Sequence, residues 1–129
     1  MPTLTGVHQV ALTVTDVDRS VPWYERVLGF EAVEYVDTDT TRRKVFLRGP
    51  GLGLSLTLVQ HLTAERSTFN EHRPGLDHLT FTVPDGATLH QWTERLTEHG
   101  VPFEVVGDNE AVAVRDPDGI HLVLTTSAP

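Results

Sequence analysis

Residues 6–27 read GVHQVALTVTDVDRSVPWYERV, and residues 75–96 read GLDHLTFTVPDGATLHQWTERL. Set at an offset of 69, the two stretches share seven of 22 positions: Gly6/Gly75, Thr13/Thr82, Val14/Val83, Asp16/Asp85, Trp23/Trp92, Glu25/Glu94 and Arg26/Arg95. A repeat of this kind decides the architecture, because each copy is one supersecondary unit. Each copy starts with alternating side chains, crosses a polar turn containing Asp, and continues with apolar residues at helical spacing. Val17, Val21, Tyr24 and Leu28 form the apolar stripe of the first helix; Leu89, Trp92 and Leu96 form that of the second. Gly29 and Gly100 suit the left-handed residue that follows a helix. Pro22 is expected in the first helical turn, where its missing N–H costs little.

Working outward, each helix is followed by three β-rich runs. These are FEAVEYV, RKVFLRG and LGLSLTLVQ in the first half, and VPFEVVG, EAVAVRD and GIHLVLTT in the second. The turns RGPGLG (48–53) and RDPDG (115–119) correspond, with Pro and Gly where tight turns use them. The chain therefore reads as α+β, two βαβββ modules in tandem. Module one covers about 6–60, the polar segment 61–74 is a connector, and module two covers about 75–126. Because neither four-stranded half buries much surface alone, the expectation is a single domain over residues 1–129.

Composition narrows the function. With 129 residues and 39% apolar content the chain can build a core, and no apolar run approaches the roughly 20 residues of a membrane span. The first residues, MPTLTGVHQVALTV, lack the basic start and continuous apolar run of a secretory signal, so a cytosolic location is expected. The chain has no cysteine, which excludes disulfides, thiolate metal sites and cysteine nucleophiles. A net charge of −8 argues against a nucleic-acid partner. Up to Pro74 there are eight Lys/Arg against nine Asp/Glu, and after it two against nine, so the second half carries −7 of that charge. Solubility explains such an excess; a pocket preferring cationic or neutral ligands is the sharper alternative. The cluster TRRK (41–44) reads as a solvated strand edge. There is no GxSxG elbow and no Gly-rich phosphate loop. A Ser55–His78 pair lacks a third group to orient the base.

The segments HQVALTVTDVDRSVPWYERVLGFE, PGLDHLTFTV and VRDPDGIHLVL resemble the vicinal oxygen chelate superfamily: glyoxalase I, bleomycin- and fosfomycin-resistance proteins, and extradiol dioxygenases. The resemblance covers nearly the whole chain. It implies two modules whose sheets curve into one open cup with helices outside, often in a homodimer, and a small organic ligand in the cup. It also implies a divalent metal (Mn, Ni, Zn, Fe or Mg) held by one ligand from the first strand and one from the last strand of each module. Here the first-strand positions carry Gln9 and His78, and the last-strand positions carry Thr57 and Val123.

Parity gives a view of the cup that does not depend on the family. Gln9, Ala11 and Thr13 share one face; so do Ser55, Thr57, Val59 and His61; so do His78, Thr80 and Thr82; and so do His121, Val123 and Thr125. No Asp or Glu stands at these inward positions. Gln is used at the first position by some glyoxalases, but Val123 has no donor atom and a neutral Thr57 hydroxyl is a poor ligand. Catalytic zinc keeps about three protein ligands, and non-haem iron oxygenases use two histidines and a carboxylate. A shifted site built from His78, His121 and a loop carboxylate such as Glu110 is the one rescue. His8 points away from the cup by parity; His72, His90 and His99 lie on the connector or on solvated helix faces.

The expectation is therefore a metal-free, small-molecule-binding member of this superfamily with no membrane partner. It sequesters a small organic ligand, or converts it with His78 as acid or base, since histidine titrates near neutrality. The ligand-contacting candidates are Gln9, Thr13, Ser55, Thr57, Val59, His78, Thr80, His121 and Val123. If metal is bound, Gln9 and His78 are its candidate ligands. The alternative is a divalent-metal lyase, isomerase or transferase of the glyoxalase I or fosfomycin-resistance type; an extradiol dioxygenase is the least favoured, and a non-catalytic module of a larger assembly is a third class. Wall residues on the second and third strands set specificity, but alternation leaves their inward parity open.

Overall fold

The computed structural model describes residues 1–39, 41–62 and 67–126. The chain divides into two compact units, Met1–Ser67 and Thr68–Pro129. The expected connector 61–74 is thus split between them, and its residues 63–66 lie outside the described residues.

The first unit runs β1 (Gln9–Thr13), α1 (Val17–Leu28), β2 (Glu31–Asp39), β3 (Arg42–Arg48) and β4 (Ser55–His61). Its sheet has the order β1-β4-β3-β2, with β1 parallel to β4 and the remaining pairs antiparallel. The second unit runs β5 (Leu79–Thr82), α2 (Gly86–Glu98), β6 (Phe103–Val106), β7 (Ala111–Arg115) and β8 (His121–Thr125). Its order, β5-β8-β7-β6, repeats the same topology. Both halves are the βαβββ unit that the repeat implies.

The two helices start on equivalent residues. Asp16 accepts the Asp18 N–H (3.0 Å) and Asp85 accepts the Thr88 N–H (2.8 Å), each satisfying a donor that the first turn leaves open. A second partner secures α1: the Gln60 side chain accepts the Val17 N–H at 3.0 Å, tying the helix start to the end of β4. Gly29 closes α1 at φ 77°, where a Cβ would be strained. Pro22 is not in the first turn; it lies inside α1. The helix begins at Val17 because Asp16 and Gln60 cap it there, which puts Pro22 one turn further in, at an exposed position.

Packing follows the predicted stripes. Val17, Val21, Tyr24 and Leu28 are buried with Val27, against Leu12, Val14, Val45, Leu47, Leu56 and Leu58. In the second half Leu89 and Leu96 bury against a sheet face of Val112, Val114, Leu122 and Leu124, while Trp92 is half-buried. Leu122 is fully buried, a contribution of about 1.5–3 kcal/mol for a side chain of its size.

One expectation is overturned. The basic cluster at 41–44 does not form a strand edge, because β3 is hydrogen-bonded on both sides, to β2 and to β4. Arg43 is accommodated by acids rather than by solvent alone. Its guanidinium donates to both Asp18 oxygens (3.0 and 3.2 Å) and to Asp37 (3.4 Å). That pair holds the Asp18 carboxyl below the usual range.

Candidate functional site

Each half presents one apolar sheet face to its helix and one face with polar side chains. Exposure alternates along β1, where Leu12 is buried while Gln9, Ala11 and Thr13 are exposed. It alternates along β8 as well, where Leu122 and Leu124 are buried between half-buried His121, Val123 and Thr125. Both patterns match the parity expected from the sequence.

In the first half the pairing places Gln9 opposite Ser55, Ala11 opposite Thr57 and Thr13 opposite Val59. Thr57 is buried at 2% exposure, and its hydroxyl donates to Gln9 Oε1 at 2.8 Å. The two polar side chains that the resemblance places at ligand positions in this half, Gln9 and Thr57, are therefore engaged with each other. The register also settles the wall: Phe46 stands opposite Thr57 and Glu34 opposite Phe46, so one row reads Ala11, Thr57, Phe46, Glu34. His61 is exposed at the end of β4, opposite Arg42.

In the second half Thr80 pairs with Val123, as Ala11 pairs with Thr57 in the first. The register thus supports the equivalence of Thr57 and Val123. The row continues through Ala113 to Glu104. A recess of about 360 Å³ on this side is lined by residues including Phe103, Glu104, Ala113, Arg115 and His121.

Beside it, His78 and His121 come together, with ring centroids 5.5 Å apart. His78 Nδ1 lies 2.6 Å from Asp77 Oδ1. An ionised carboxylate only accepts, so this contact makes Nδ1 the donor and leaves the Nε2 lone pair available. Donor atoms of Asp77, His78 and His121 all lie within 4.8 Å of one another, the one such group among the described residues. The carboxylate in this cluster is thus Asp77, not Glu110. The Glu110 backbone carbonyl instead receives the Thr125 and Thr126 hydroxyls and the Thr126 N–H.

Two devices hold the cluster in place. Buried Asp116 accepts the N–H groups of Asp118 (2.8 Å) and Ile120 (2.9 Å), fixing the RDPDG turn immediately before His121. Arg115, paired with His121 across the sheet, donates to both Glu71 oxygens (3.0 and 2.8 Å) and to the Gly119 carbonyl (3.0 Å). The Arg115 hydrogen bonds, helped by a backbone donor, pull the Glu71 carboxyl down to about 2. Asp77 and Glu71 escaped the sequence reading, because both precede β5 and strand parity does not reach them. The adjacency of Asp77 to His78 was the available signal. Of the remaining histidines, His90 pairs with Glu94 on the exposed face of α2, His99 caps that helix, and His8 and His72 are exposed.

Among the described residues no helix is long and apolar enough to cross a membrane. Comparison with known proteins agrees with the topology. The chain is similar to the Bacillus subtilis (strain 168) catechol-2,3-dioxygenase, at 29% identity over 98% of this chain but only 45% of the relative. It thus spans less than half the length of the curated relatives it matches. A solved glyoxylase/bleomycin resistance protein/dioxygenase domain from Frankia sp. EAN1pec superimposes with a TM-score of 0.87 at 35% identity, covering 98% of this chain and all of that one. Leishmania major glyoxalase I shares the fold (TM-score 0.75, 23% identity, 95% of this chain and 86% of that one). The model of the Glyoxalase/Bleomycin resistance protein/Dioxygenase superfamily matches residues 6–124, and the chain belongs to that family.

Proposed function

We propose that this protein binds a small organic molecule on the polar sheet faces and works without a metal ion at the family's usual position, sequestering the ligand or converting it with His78 as acid or base. The observation that carries this reading is the donor set. The Thr57 hydroxyl is engaged with Gln9 Oε1, and Val123 offers no donor, so the residues at those positions do not fit a catalytic dication. What remains is proton chemistry. Asp77 accepts the Nδ1 proton of His78, orienting the ring and favouring the tautomer whose Nε2 takes a proton from a ligand. Gln9, Thr13, Ser55, Thr57, Val59, Thr80, His121 and Val123 are the proposed ligand contacts. The assembly is a homodimer in the cytoplasm.

A second reading is metal-dependent catalysis of the lyase, isomerase, transferase or ring-cleaving type. The curated relative is named a dioxygenase, and the second-half cluster has two imidazoles and a carboxylate, the donor composition of non-haem iron oxygenases. The test is a thermal-shift screen of chelator-treated protein against cationic antibiotics, catechols and small 2-oxo compounds, since a ligand that binds the folded state raises apparent stability. A hit unaffected by chelation and lost in His78→Ala supports the metal-free reading. A stoichiometric ion whose removal abolishes every hit, and whose retention requires Gln9, refutes it.

A further inference from the structure

We infer that Asp77, His78 and His121 form a binding site for a first-row transition dication, contained within the second half and shifted away from the family's ligand positions. Only His78 coincides with those positions. His121 stands two residues before Val123 on β8, and Asp77 lies just ahead of β5. The donors are two imidazoles and one carboxylate, a set that favours Zn²⁺, Ni²⁺ or Co²⁺ over Mg²⁺ or Ca²⁺. Donor–metal bonds of about 2.0–2.2 Å allow two ligand atoms on one ion to be no more than about 4.4 Å apart. The present separations, within 4.8 Å, need only a small closing movement. Asp77 and His78 have exposed side chains (69% and 44%), so rotation meets little resistance, and the Asp116-fixed turn holds the backbone before His121 steady.

This goes beyond the reading of His78 as a base and sets a condition on it. An ion shared by Asp77 and His78 Nδ1 replaces the proton between them and leaves the proton of the neutral ring on Nε2, so occupancy and action as a base exclude each other. Coordination also competes with protons, so affinity falls with acidification.

Isothermal titration of the chelator-treated full chain with NiCl₂ tests the site. We expect one ion per chain and at least tenfold weaker binding in both His121→Asn and Asp77→Asn. We expect Gln9→Ala to remain within twofold of wild type and MgCl₂ to give no binding. Asp77 is exposed, so Asp77→Asn keeps the test valid if His121→Asn impairs folding. Wild-type affinity in both variants, or no nickel binding at all, overturns this inference and leaves the acid–base reading of His78 standing. A loss in Gln9→Ala equal to that in His121→Asn overturns both.

Discussion

The Thr57–Gln9 hydrogen bond can be isolated energetically. Thr57→Val removes the donor from a residue that is 2% exposed, while its partner Gln9 is exposed at the start of β1. Two opposing terms follow. Losing a neutral hydrogen bond costs about 0.5–1.5 kcal/mol, softened because Gln9 Oε1 can turn to water. Replacing a buried hydroxyl with a methyl group removes a desolvation cost of comparable size, about 1 kcal/mol. The single variant is therefore expected near neutrality and decides nothing. A double-mutant cycle with Gln9→Ala cancels the transfer term and leaves the coupling, expected at about 0.5–1 kcal/mol. Urea unfolding followed by tryptophan fluorescence is the assay. Trp92→Phe provides the background, so that Trp23, packed edge-on to Tyr24 in α1, reports the first half alone. A coupling below about 0.3 kcal/mol, within the error of such cycles, would mean that the hydroxyl is not held by Gln9 and is available as a ligand.

Both halves offer further tests. Glu71 has its pKa lowered from 4.5 to about 2 by Arg115, so its stabilising contribution is complete above pH 4.5 and fades as pH falls toward 2. Acid unfolding should show the wild-type advantage over Glu71→Gln closing across that window; a gap that stays constant would contradict the tether. Leu122→Ala, at a fully buried position on the His121 strand, is expected to cost about 2–5 kcal/mol in chemical denaturation, and a loss below about 1 kcal/mol would show that the site collapses to fill the space. Asp16→Ala should cost about 1 kcal/mol by removing the α1 cap; no loss would mean that Gln60 suffices.

Periodicity carried most of the fold because both halves bury one face per element. The alternation of β1 and β8, the stripe of α1, and the left-handed Gly29 were all legible as local patterns. Strand order was harder to read. The arginines around Arg43 signalled an edge, but long side chains can lie across an interior strand when acids such as Asp18 and Asp37 meet their charged ends. Half of the site was legible for the same reason. Gln9, Thr57, His121 and Val123 sit on strands, where parity assigns a face, and His78 immediately precedes β5, one position from that pattern. Asp77 and Glu71 lie before the strand begins, and their roles depend on where a loop brings them. Glu34 and Glu104 became assignable only when pairing set the register of β2 and β6.

With Thr57 engaged by Gln9 and Val123 lacking a donor, the inferred cation chemistry of this chain lies with Asp77, His78 and His121. The X-ray absorption spectrum of the nickel-loaded chain counts imidazole ligands directly. Two are expected, from His78 and His121. A single imidazole with oxygen donors, as a site using Gln9, Thr57 and His78 would give, would rule out the Asp77–His78–His121 site.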